Sequence, residues 1–234
     1  MNKYLNKSGL KETEKGIRNE TYKRMNMSRG IFITMEGPDG SGKSTQIALL
    51  REYLEKTGYD VIITREPGGT RISEDIRETI LNPEFREMSP VTEMMLYASA
   101  RSQLVAEVIG PAIDSGKAVI SDRFVDSSLV YQGMARGLGV DTVFEINKVA
   151  IGDYMPDVTF LLDLPAEIGI SRKKDQKELD RMELESLEFH KKVAQGFRDM
   201  AARFPERIKT IDATLPIEEI CGIIKSRVKE LLDA

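Results

Sequence analysis

Five short apolar runs recur along the chain: IFITM at 31–35, DVIIT at 60–64, KAVIS at 117–121, VTFLLD at 158–163 and RIKTID at 207–212. They show little polar alternation, which is the pattern of strands covered on both faces. Between them, apolar positions recur with helical spacing over 44–57, 71–80, 91–115, 141–151, 165–173, 181–203 and 216–232. Strand and helix in alternation predict right-handed crossovers and a parallel sheet, hence a three-layer α/β domain built on five parallel strands. Residues 1–28 break the pattern: they are polar, rich in Lys, Glu and Asn, and lack an apolar period. They read as a dispensable extension, with Met27 a natural first residue for a domain spanning 29–234. No linker, repeat or low-complexity tract follows residue 30.

Composition narrows the class. With 41% hydrophobic and 31% charged residues among 234, the chain has material for a real core. A net charge of -4 argues against a nucleic-acid binder. No run reaches the ~18 apolar residues that span a bilayer, and the N-terminus lacks the apolar centre of a secretory signal. The single cysteine, Cys221, allows no internal disulfide. A cytoplasmic enzyme without membrane attachment is the expectation.

Chemistry enters at MEGPDGSGKST, residues 35–45. The spacing Gly37-x-x-x-x-Gly42-Lys43-Ser44, between a strand and a helix, is that of a phosphate-binding loop, so the domain is expected to have the phosphate-loop NTPase fold. Backbone N–H groups from Gly37 through Pro38, Asp39, Gly40, Ser41 and Gly42 to Thr45 would surround phosphate at the positive end of a helix; Pro38 itself has no N–H to give. Lys43 would bridge the outer phosphates and Ser44 would ligate Mg²⁺. A nucleoside triphosphate with Mg²⁺ is therefore the expected ligand.

Neither the N/T-K-x-D nor the D-x-x-G segment of a GTPase is present. Two candidate strands end in one carboxylate each, Asp122 and Asp163. Asp122 is preferred for Mg²⁺ because Arg123 follows it. Arg123 and Arg65, both at strand ends, should face the loop and clamp a second phosphorylated ligand. That arrangement points to phosphoryl transfer onto a nucleotide.

At these residues the chain resembles thymidylate kinases. MEGPDGSGKST, TREPGGT (64–70), MLYASARSQ (95–103), SDRFVDSSLVYQG (121–133) and ELDRMELES (178–186) match that family in order and spacing from about residue 29 to the C-terminus. The resemblance implies MgATP-dependent conversion of dTMP to dTDP, and a homodimer. It places Tyr97 (usually Phe) and Arg101 at the base, four positions apart and so on one helix face. It also places Ser128 and Gln132 at the thymine edge, Tyr131 against the deoxyribose, and Asp39 near the sugar hydroxyl and the metal. The family's DRY is here Asp122-Arg123-Phe124. Some family members keep a catalytic arginine in the phosphate loop. This loop has none, so the chain resembles the mainly bacterial group that supplies it from a lid, here about 171–182. Arg172 and Arg181 are the candidates, Arg181 slightly ahead because LDR matches the family segment; Lys173, Lys174 and Lys177 read as a solvated face. Family practice would put adenine contacts around Ala213 and Thr214.

Two other readings stay in view. A nucleoside kinase would need a carboxylate base for a 5′-hydroxyl and would use two phosphate-gripping arginines less. A nucleotide-gated binding protein would be expected to have a degraded Lys43, Asp122 or lid, and all are intact. His190 reads as a surface residue and Cys221 as core.

Overall fold

In the computed structural model, which describes residues 29–173 and 179–233, every apolar run becomes a strand, displaced by at most one residue. The strands are β1 (Phe32–Glu36), β2 (Val61–Arg65), β3 (Ala118–Asp122), β4 (Val158–Asp163) and β5 (Ile208–Asp212). They form one parallel sheet in the order β2-β3-β1-β4-β5, with Phe32 beside Val119 and Ile33 beside Val158. The central strand β1 is buried along its whole length, as its lack of alternation requires.

Alternate side chains of the sheet feed two cores. On one face Ile33, Met35, Ile120 and Phe160 meet α1 (Lys43–Lys56) and α9 (Ile217–Leu232) through Leu50, Leu54, Ile220 and Ile224. Cys221 lies in this layer, buried as expected. On the other face Phe32, Val119 and Leu161 meet α3 (Pro90–Leu104), α6 (Val140–Ile151) and α8 (Leu187–Arg203). The shorter helices are α2 (Arg71–Leu81), α4 (Gly110–Asp114), α5 (Val125–Ser128) and α7 (Ala166–Lys173).

Three departures from the expected helices have local causes. The stretch read as one helix over 91–115 is divided by wide, π-type turns at Val105–Ile109. Pro111, second residue of the continuation, has no N–H to close a normal turn. The helix expected from 181 begins instead at Leu187, where the Ser186 hydroxyl caps it by accepting from the Phe189 N–H at 3.2 Å. An additional helix, α5 continued as wide turns through Leu129–Ala135, carries the DSSLVYQG segment. Sheet register brings Glu36, Arg65, Asp122, Asp163 and Asp212 to the same end, the C-terminal ends of all five strands. A ligand site in an open parallel sheet is expected there.

Candidate active site

Between β1 and α1 the chain turns through residues 37–42. Gly42 begins α1 with φ 91°, a left-handed conformation open to glycine, and no side chain caps the helix. The first-turn N–H groups are thus left for an anion. Gly40, at φ 74°, lies so close to α7 that an added Cβ would stand 2.7 Å from the Gly169 carbonyl oxygen. Lys43 folds back, donating from Nζ to the Gly37 and Pro38 carbonyls at 3.1 Å each. Burial, then the neighbouring Arg123 charge, lowers its pKa to about 8. Ser44 and Thr45 are exposed on the cleft. Ser41 and Pro38 do not border it: Ser41 is buried, and Pro38 flanks a smaller apolar pocket that half-buried His190 also lines.

Opposite the loop, Arg123 adopts φ 70°, which is uncommon for a residue with a Cβ. Its N–H donates to the Met35 carbonyl at 2.9 Å and its own carbonyl accepts from the Ser121 hydroxyl at 2.7 Å. So held, the guanidinium reaches the Gly37 carbonyl at 3.0 Å and Asp39 at 2.8 Å, and lies 5.4 Å from the Tyr131 ring centroid. Glu36 braces the same corner. Its carboxylate accepts from the Phe124 N–H (2.8 Å), the Ser127 N–H (3.3 Å) and the Ser127 hydroxyl (2.6 Å). Burial and the nearby Asp126 raise its pKa to about 7, against the pull of Arg123 and these donors. Of the two candidate metal carboxylates, Asp122 borders the cleft, whereas Asp163 is turned to Arg198 at 3.0 Å. Ser44 and Asp122 together offer the oxygen donors that suit Mg²⁺, which keeps most of its other positions for phosphate and water.

The cleft between these walls holds about 500 Å³. Arg65 lies on it, tied to Glu74 at 2.8 Å. Tyr97, Ser128, Tyr131 and Gln132 also line it, so the base and sugar residues suggested by the resemblance converge. Burial raises the phenol pKa of Tyr97 and of Tyr131 well above the ordinary value. Arg101 is in the wall but differently engaged. Only 1% exposed, it gives Nε and Nη2 to Glu66, Nη2 also to the Phe124 carbonyl (3.1 Å), and Nη1 to Ser128 (3.0 Å) and Asn147. All five of its donors therefore have acceptors inside the protein.

The lid candidates separate. Arg172, at the end of α7, donates to the Gly40 carbonyl at 2.9 Å and borders the cleft. Arg181 is not brought to the phosphate loop: it is buried, with Nε on the Ile80 carbonyl (2.7 Å) and Nη1 on Glu93 (2.7 Å). A matching LDR segment gave no warning of Glu93, which lies in α3. Lys174 and Lys177 fall outside the described residues, and α7 ends at Lys173.

Several cleft residues were not anticipated: Glu66, Arg77, Asp180, Met182 and Glu183. Arg77 had a usable signal. It follows Glu74, the partner of Arg65, by three positions on α2, so the two lie on one helix face, and it donates to the Pro67 carbonyl at 2.8 Å.

The family model described as "Thymidylate kinase" matches residues 35–224. A thymidylate kinase from Geobacillus sp. (strain WCH70) is 48% identical over 207 residues, covering 88% of this chain and 99% of the relative. One from Clostridium novyi (strain NT) is 47% identical over 205 residues, covering 87% and 100%. Among solved structures, the crystal structure of thymidylate kinase from Ehrlichia chaffeensis superposes with a TM-score of 0.70 at 31% identity, over 86% of this chain and 99% of that one.

Proposed function

The chain belongs to the thymidylate kinase family, and on that premise we propose how its residues divide the work of phosphorylating dTMP to dTDP with ATP. The reading rests above all on one observation: the left-handed Arg123 corner aims a guanidinium across the cleft at the phosphate loop, between Gly37 and Asp39. A clamp so placed serves a second phosphate facing the first.

The phosphates of ATP occupy the loop from Gly37 to Thr45, with Lys43 leaving the Gly37 and Pro38 carbonyls to meet them. Ser44 and Asp122 would hold Mg²⁺, which would supply charge neutralisation on the phosphates. Arg65 and Arg123 grip the dTMP phosphate after exchanging Glu74 and Asp39 for it. Asp39 would face the sugar and the metal. Tyr97 stacks on the base, Tyr131 flanks the deoxyribose, and Ser128 and Gln132 meet the base edge; Arg101 acts on that edge through Ser128. Arg172 neutralises the migrating phosphoryl group, and Arg181 takes no part in transfer. Because the acceptor is already a phosphate dianion, no strong base is needed, and catalysis is alignment and charge neutralisation.

Among the described residues no helix is long and apolar enough to cross a membrane, in keeping with a cytoplasmic site of action. The homodimer is favoured by Ile72, Val91, Met95 and Val149, exposed apolar side chains on α2, α3 and α6, with α3 packed against the other two.

Steady-state kinetics of two variants test the assignment. Tyr97→Ala should raise the KM for dTMP ~10-fold or more, the cost of one lost stacking contact, with little change in kcat. Arg172→Ala should lower kcat ~10³-fold with little change in either KM. An unchanged dTMP KM in Tyr97→Ala would remove the base pocket from where it is placed here.

A further inference from the structure

Gln132 carries an unpaired atom in a buried place. The residue is 1% exposed and lines the cleft, and its side-chain oxygen Oε1 is buried without a hydrogen-bond partner. Its Nε2 donates to Glu93 Oε1 at 2.8 Å. A buried acceptor without a partner carries a desolvation cost and calls for an explanation.

The orientation of this amide is chemically forced. An ionised carboxylate only accepts, so it selects the NH₂ end of Gln132 and turns the carbonyl end away. Turned round, the amide would set two acceptors against each other. Glu93 is itself fixed: Arg136 donates to it from Nε (3.2 Å) and Nη2 (3.0 Å), and Arg181 Nη1 lies 2.7 Å from its second oxygen. Burial pushes the Glu93 carboxyl up, but the bonds from Arg136 and Gln132 and the charges of Arg136 and Arg181 outweigh it and hold it below the ordinary carboxylate value. Arg181, absent from the phosphate loop, here acquires a role.

A second group one turn away has its polarity set in the same manner. Arg101 Nη1 donates to the Ser128 hydroxyl oxygen at 3.0 Å, so the hydroxyl proton points away from the cation and is left to donate. One fixed acceptor, Gln132 Oε1, and one available donor, the Ser128 hydroxyl, then lie one turn apart on the cleft wall. A 4-oxopyrimidine offers N3–H to the Gln132 carbonyl and O4 to the Ser128 hydroxyl; a 4-aminopyrimidine sets a bare N3 against that carbonyl, acceptor against acceptor.

We propose that Glu93 is a positioning residue that locks the Gln132 amide with its carbonyl toward the base, and thereby makes the pocket select 4-oxo over 4-amino pyrimidine monophosphates. The inference rests on the reading above that Gln132 meets the base edge. It adds the device that sets the polarity of that contact, held by Glu93, Arg136 and Arg181.

The test compares kcat/KM for dTMP, dUMP and dCMP in the unmodified enzyme and in Glu93→Gln, whose neutral amide accepts either orientation of Gln132. The dTMP:dCMP ratio should fall ~10-fold or more, since a buried mismatch of donors and acceptors is what sustains such discrimination. The dTMP:dUMP ratio should not change, because both bases carry N3–H and O4. Equal losses with all three acceptors, leaving both ratios intact, would show Glu93 to be merely structural and overturn the proposal. An unmodified enzyme indifferent to dTMP and dCMP would instead overturn the underlying reading of the pocket. Should Glu93→Gln not fold, ¹⁵N NMR of the Gln132 side chain in unmodified enzyme decides. Amide protons that stay bonded to Glu93 when dTMP binds support the proposal, and protons released from Glu93 by dTMP overturn it.

Discussion

Glu36 is a carboxyl with three hydrogen-bond donors and almost no water, 1% exposed. Its raised pKa makes a stability statement. The native protein keeps the proton up to about pH 7, whereas the unfolded chain loses it near 4.5, so this group's contribution is full below 4.5 and is lost as pH rises through 7. The scale is on the order of 3 kcal/mol, at ~1.4 kcal/mol for each tenfold change in proton affinity. Glu36→Gln keeps an acceptor for the two N–H groups and a donor for Ser127, and stays neutral throughout. Denaturant unfolding of both proteins should show the variant gaining on the unmodified enzyme as pH rises from 4.5 to 7. A difference between them that is constant over that range would contradict the assignment. At this scale the sequence was legible where a residue's placement follows from a short motif. Lys43 and Arg123 are held by neighbours a few positions away or by the adjoining strand. It was not legible where a partner lies far off in sequence. Arg101 meets Glu66 35 residues before it and Asn147 46 residues after it, and nothing local to Arg101 announces either.

Among elements, the three inner strands could be read within a residue because burial on both faces erases alternation, whereas the edge strands β2 and β5, half-exposed, were read from their short apolar runs alone. The α5 segment and its continuation escaped because Ser-Ser and Gly133 interrupt the apolar period. Its side chains Ser127, Ser128, Tyr131 and Gln132 nonetheless line the cleft. The loop between β1 and α1 provides a contrast between two glycines that a motif treats alike. Gly42 has nothing within 4 Å of an added Cβ, so Gly42→Ala should cost only its left-handed conformation, about 1–2 kcal/mol. Gly40→Ala adds a collision with the Gly169 backbone at 2.7 Å and should cost distinctly more. Thermal unfolding of the two variants without nucleotide checks the order. Equal stability would mean that α7 yields freely to the loop.

For the whole molecule, the parallel sheet gathers the strand ends at which phosphate loop, Asp122–Arg123 corner and Arg65 meet, so topology brings two groups of phosphate-binding character to face each other across one cleft. That arrangement suits phosphoryl transfer between nucleotides in general; in the proposed reading the acceptor is set by the wall that α3 and α5 contribute. The central claim is that this wall takes thymidylate. The most direct measurement is MgATP-dependent diphosphate formation by the unmodified enzyme across dTMP, dUMP, UMP, dCMP, dGMP and AMP, with a control lacking acceptor. The expected result is strong preference for dTMP and no appreciable ATP consumption without an acceptor. Preference for another monophosphate, or ATP binding with transfer to none of them, would contradict the account.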